Sequence, residues 1–126
     1  MQNHKEIVQA FFMECHWASY RAGWWHDPET GESLLDNPYV VPTKLMLTVS
    51  ELSEGMEGYR KGLKDDHLPH RDMLEVELAD AVIRIADLAG ALGYDLAGAI
   101  IEKLAYNARR ADHKISNRQQ VGGKKF

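Results

Sequence analysis

Four carboxylates in two short tetrads are the residues best suited to chemistry. Glu51-Leu52-Ser53-Glu54 and, 22 residues further on, Glu77-Leu78-Ala79-Asp80 both read acid, leucine, small residue, acid. On a helix, positions i and i+3 lie about 60° apart, so each pair shares one face. Relative to the leucine stripe of its own stretch, each pair falls on the same flank. Two such helices packed antiparallel along their stripes would bring all four carboxylates to one side. A cluster of that kind needs protons or divalent cations to hold it together. An all-oxygen ligand set favours magnesium or manganese over zinc or copper. Acids at i and i+3 also suit a solvated helix face; the repeat in matching register is what singles these four out.

The elements that must position them are helical. Apolar spacing predicts a first helix over about residues 6–20, with Val8, Phe11, Phe12 and Cys15 on one face. Residues 23–42 read as a loop broken by Pro28, Gly31, Pro38 and Pro42, and ordered loops of that length tend to be functional. A second helix over about 43–63 carries Leu45, Val49, Leu52, Met56, Tyr59 and Leu63 in alternating steps of four and three. The third, about 71–92, repeats the pattern with Leu74, Leu78, Ala81, Ile85, Leu88 and Leu92 before Gly93. Asp95 is a suitable N-cap for a fourth helix over about 95–110. The expectation is one all-α domain, residues 1–112, followed by a flexible basic tail, 113–126.

Two further features lie on these helices. Gly55 and Gly58 occupy the flank of the second helix that carries Glu51 and Glu54. Each costs about 1 kcal/mol relative to alanine there, which close approach of another backbone or a ligand would explain. Lys103, Asn107 and Arg110 share one face of the fourth helix. Lysine and arginine suit phosphate oxygens, although cations near a helix C-terminus also complement its dipole.

Charge and composition narrow the class. The chain has 126 residues and a formal charge of −4, but the last fourteen hold four cations and no acid. Residues 1–112 therefore carry eleven cations against nineteen acids, a balance of −8. Such a body repels a nucleic-acid backbone, so no nucleic-acid partner is expected. The longest apolar or glycine run, Leu88–Tyr94, is far short of the ~20 residues that span a bilayer, so no membrane partner is expected either. The segment after Met1 is interrupted by Glu14 and His16 and does not resemble a signal peptide. Cys15 is the single cysteine, which leaves no internal disulfide and points to a reducing, cytoplasmic setting.

With these residues in place, the chain resembles the MazG-like branch of the all-α NTP pyrophosphatases over about residues 43–113. The shared marks are E-x-x-E (Glu51, Glu54), E-x-x-D (Glu77, Asp80) and K-x-x-x-N-x-x-R (Lys103, Asn107, Arg110), in that order. The resemblance implies a four-helix-bundle-type core assembled as a dimer or a dimer of dimers, with the site completed near a subunit boundary. It implies that Glu51, Glu54, Glu77 and Asp80 bind Mg2+, with Mn2+ an alternative. It also implies cleavage of a (d)NTP between its α and β phosphates to NMP and pyrophosphate, in control of nucleotide pools. Glu54 or Glu51 would orient or deprotonate the water, and Lys103, Asn107 and Arg110 would contact phosphates or sugar. The wider superfamily adds dUTPase-like and phosphoribosyl-ATP hydrolase activities as alternatives. A non-catalytic nucleotide-binding or oligomerising helical module is another.

Residues 1–42 do not align with that family. Within them Trp17, Trp24, Trp25 and His16 are candidates for stacking on a nucleobase. Trp17, at helical spacing, also suits a core, whereas Trp24 and Trp25 beside Gly23 are awkward to bury together. Cys15 reads as a small buried residue rather than a nucleophile. His26, His67 and His70 have no partner at a ligand spacing and read as surface residues.

Overall fold

Helix boundaries follow the local chemistry of the chain. In the computed structural model, which describes residues 3–126, α1 spans His4–Arg21 and opens on a capping box. The Glu6 N–H donates to Asn3 Oδ1 at 2.9 Å, and the Glu6 carboxylate accepts from the Asn3 N–H. Met1 and Gln2, the start of the expected domain, lie outside the described residues.

α2 runs Val40–Lys61 and begins three residues earlier than expected. Pro42 sits in its first turn, where a missing N–H leaves no intrahelical bond unmade. Gly62 ends it in the left-handed conformation, φ 63°. α3 spans Met73–Ala91, and α4, Leu96–Arg109, is capped by Asp95, whose carboxylate accepts from the Gly98 N–H at 3.0 Å. The basic tail, residues 113–126, carries short helical turns. A 3-10 turn at Ala111–His113 and a short α5, Ile115–Arg118, follow α4. Arg110 and Lys124 both donate to Asp112, tying this segment back to the end of α4.

α3 is the central helix. It packs on α2 along one side and on α1 along the other, while α4 packs mainly on α1. α1 makes no packing contact with α2, and neither does α4. The four expected helices are present and pack together, with a groove between α1 and α2.

The face α2 turns to α3 differs from the expected one. Gly55 and Gly58 are buried, while Leu45, Val49, Leu52, Met56 and Tyr59 are each about half exposed or more. A Cβ on Gly58 would lie 2.7 Å from the Cβ of Met73, so the two backbones meet where side chains are absent. The glycine flank, not the leucine stripe, is the packing surface. Because Glu51 shares that flank, the same contact carries its carboxylate toward α3. A second close approach joins α1 to α3, where a Cβ on Gly90 would lie 2.6 Å from His16 Cβ.

The buried core is correspondingly small: Trp25, Ala81, Ala86, Leu88, Ala89 and Ala97. Among the described residues no helix is long and apolar enough to cross a membrane.

Candidate metal and substrate site

Three of the four expected carboxylates converge. Glu51 from α2 and Glu77 and Asp80 from α3 each offer an oxygen, and these oxygens lie within 4.8 Å of one another. Glu77 sits at the glycine contact, where a Cβ on Gly55 would stand 3.3 Å from its own Cβ. It is only 7% exposed, and its Oε2 has no hydrogen-bond partner among the described residues. An unpartnered buried carboxylate oxygen is costly, and a cation is one way to satisfy it. The donor set is all oxygen, which suits a hard divalent ion.

Glu54 does not join this group. It lies one turn further along α2 with its side chain exposed, yet its charge contributes to the strain on Glu77. Three of the four expected carboxylates thus meet in one group, and Glu54 lies beside Glu51. Only the portion of the α2 flank that meets α3 is drawn inward.

The electrostatics of the three are unequal. Burial pushes Glu77 up to about 8, helped by the nearby Glu51 carboxyl and the charges of Glu51, Glu54 and Asp80. Burial also acts on Glu51, but the neighbouring Glu77 carboxyl and the hydrogen bond and charge of Arg84 outweigh it and hold Glu51 below its usual range. Asp80 is raised, by burial first and then by the Glu51 charge, with Arg84 opposing. Like charges in one partly dry site cannot all ionise without a counter-ion.

Arg84 supplies part of that counter-charge. Its Nε donates to Glu51 Oε1 at 2.8 Å. It also lines the groove between α1 and α2, a space of about 780 Å3 whose walls include Phe11, Cys15, Trp24, Leu47 and Ile83. Lys44 and Asp87 face the same groove, and burial lowers the Lys44 amine against the opposing pull of Asp87. Cys15 is half-buried, and burial raises its thiol, consistent with a packing role.

The aromatic candidates separate. Trp24 is 67% exposed and lines the groove. Trp25 is 1% exposed, and its Nε1 donates to Asp87 Oδ1 at 2.8 Å. Lys44 Nζ lies 4.6 Å from the centre of its ring. His16 is buried too, with a 2.9 Å hydrogen bond between its Nδ1 and the same Asp87 oxygen. Trp25 and His16 are thus corrected from stacking candidates to packed residues. Trp17 is half exposed at the end of α1, edge-on to Tyr20 with ring centres 5.5 Å apart.

Lys103, Asn107 and Arg110 lie on or just past α4, which makes no contact with α2, the helix that carries Glu51. Lys103 Nζ sits 4.7 Å from the Tyr106 ring centre, and Arg110 is engaged by Asp112 through two hydrogen bonds. The Oδ1 of Asn107 is buried with no partner among the described residues.

Arg84 and Asp87 line the groove and were not singled out by motif spacing. Arg84 follows Asp80 by four and Glu77 by seven, so it shares their helical face. Asp87 is a lone acid inside the apolar run Ile85–Ala91, a placement tolerated only with buried donors around it. No protein-family profile, no curated protein and no solved structure matches the chain.

Proposed function

We propose that this chain is a magnesium-dependent nucleoside triphosphate pyrophosphohydrolase that cleaves between the α and β phosphates. The observation that carries the reading is the buried, unpartnered Glu77 oxygen within a three-carboxylate group linked through Arg84 to an apolar groove. Glu51, Glu77 and Asp80 would hold the ion, magnesium or manganese. The bound ion supplies charge neutralisation at the phosphates and an acidified water. Glu54, exposed beside Glu51, would accept the proton of that water. Trp24 offers the base a face to stack on, while Phe11, Leu47 and Ile83 keep water from it.

Assembly with further copies belongs to the same reading. The chain exposes 9758 Å2, against about 6,800 Å2 for a compact monomer of 14.3 kDa. The excess is several times the ~800 Å2 that a standard interface takes from one partner. It includes the exposed leucine stripe of α2 and, on α4, Ile100, Ile101 and Leu104. A dimer or dimer of dimers would cover these faces and allow Lys103, Asn107 and Arg110 to reach a site on another protomer. Sedimentation equilibrium is expected to give two or four copies; a monomer at micromolar concentration would overturn the assembly.

The activity is tested with purified protein, magnesium and a panel of ribo- and deoxyribonucleoside triphosphates. Pyrophosphate release is expected, lost on chelation, and reduced by roughly a hundredfold or more in Glu54→Ala. No release from any nucleotide with either magnesium or manganese would overturn the reading. One observation favours a second reading, a nucleotide-binding module without turnover: Glu54 stands outside the carboxylate group. Nucleotide binding without pyrophosphate release would support that instead.

A further inference from the structure

Arg84 belongs to none of the motifs that drew attention to the carboxylates, yet it touches both halves of the site. It is the one ion-pair partner of Glu51, Glu77 and Asp80 among the described residues, with Nε 2.8 Å from Glu51 Oε1. The same side chain lines the groove, is 37% exposed, and can leave Glu51 without opening the core. Glu51 is 12% exposed, so what replaces Arg84 there must be another cation. A divalent ion among the three carboxylates would compete with the guanidinium for Glu51 and repel it. Repulsion toward the groove would put a planar, five-donor fork where an anionic ligand would sit.

We propose that Arg84 is an exchangeable latch, holding Glu51 while no cation is bound and passing to the anionic oxygens of a polyphosphate once a cation takes Glu51. The proposal rests on reading the three carboxylates as a cation site, which the unpartnered, 7% exposed Glu77 supports independently. It assigns the ligand class as well: a polyanion whose oxygens face the groove-side end of the cluster and accept two parallel hydrogen bonds. Ordering follows from it. Cation binding comes first, because until then the fork is occupied by Glu51.

The test separates two affinities by calorimetry, with Mn2+ alone and with inorganic triphosphate added to Mn2+-loaded protein. Wild type is compared with Arg84→Gln and Arg84→Lys. Arg84→Gln is expected to bind Mn2+ about three- to tenfold more tightly, since a competitor and a repelling charge are gone. It is expected to bind triphosphate at least tenfold more weakly. Arg84→Lys keeps the charge and loses the fork, so Mn2+ affinity stays near wild type while triphosphate affinity falls. A purely structural Arg84–Glu51 pair predicts another pattern: Mn2+ binding weakens in Arg84→Gln and triphosphate affinity on the loaded protein is unchanged. That pattern, or equal triphosphate affinity in all three proteins, overturns the latch while leaving the cation site standing. Absence of Mn2+ binding in wild type overturns the cation site and the latch together.

Discussion

Trp25→Ala is expected to lower the stability of the fold by about 3–5 kcal/mol, the range for truncating a fully buried aromatic ring. Trp25 is 1% exposed and lies in the connection between α1 and α2, not in a helix. Its backbone carbonyl accepts from Leu34 N–H at 2.9 Å, within a turn closed by the His26–Ser33 bridge. Its ring nitrogen donates to Asp87 on α3 at 2.8 Å. One side chain therefore pins an eighteen-residue connection (residues 22–39) to the central helix. Truncation opens a cavity and also removes one of the two donors that satisfy the buried Asp87 oxygen, His16 being the other. Trp25→Phe keeps an aromatic ring but loses the N–H and part of the indole volume, so a smaller loss of about 1–3 kcal/mol is expected. Urea unfolding followed by circular dichroism at one fixed protein concentration measures both, since assembly couples stability to concentration. Equal midpoints for Trp25→Ala and wild type would show that the connection is not anchored by this ring.

Helices were legible in the sequence because alternating steps of four and three have one physical meaning: an apolar stripe at 3.6 residues per turn. What covers the stripe was not legible. Leu45, Val49, Leu52 and Met56 were expected to face α3, yet they stand half exposed while Gly55 and Gly58 make the contact. Periodicity identifies the face that avoids water; it does not distinguish an internal partner from a second copy. The acidic flank was recognised from its spacing alone, and Gly55 and Gly58 on that flank did signal close approach. Their consequence, an inward Glu77 with Glu54 left outside, depends on where two backbones cross, and no local pattern encodes that. The contact between Trp25 and Asp87 spans 62 positions along the chain, so neither residue announces the other. Asp87 still gave a signal. An acid flanked by Ala86, Leu88 and Ala89 needs buried donors, and a tryptophan N–H in a long connection is one of few available.

The largest response to solution conditions is expected at Glu77. Its carboxyl is pushed up to about 8 from the usual 4.5, so the folded protein holds a proton that the unfolded chain releases across that interval. The folded state binds more protons there, and stability falls as pH rises from about 4.5 to about 8. Asp80, also raised, adds in the same direction. Glu51 is lowered, so its contribution is confined to pH below 4.5 and does not mask the trend. In chelator, the melting temperature is therefore expected to decline between pH 5 and 9. A cation at the three carboxylates must displace the Glu77 proton, so its affinity rises with pH and levels off above about 8. At a hundred times its dissociation constant, a ligand of the folded state adds about 2.7 kcal/mol. For a chain of this length that is a rise of roughly 10 °C in melting temperature. Thermal scans with and without magnesium at pH 6 and pH 9 read both effects, and the metal-induced rise should be larger at pH 9. Glu77→Gln removes the titrating proton and a ligand oxygen together while keeping the shape of the side chain. It should flatten the decline with pH and reduce the metal-induced rise to below about 2 °C. A full rise in Glu77→Gln would place the cation elsewhere. A wild-type melting temperature constant from pH 5 to 9 would mean that Glu77 is ionised in the folded state with some other counter-charge beside it.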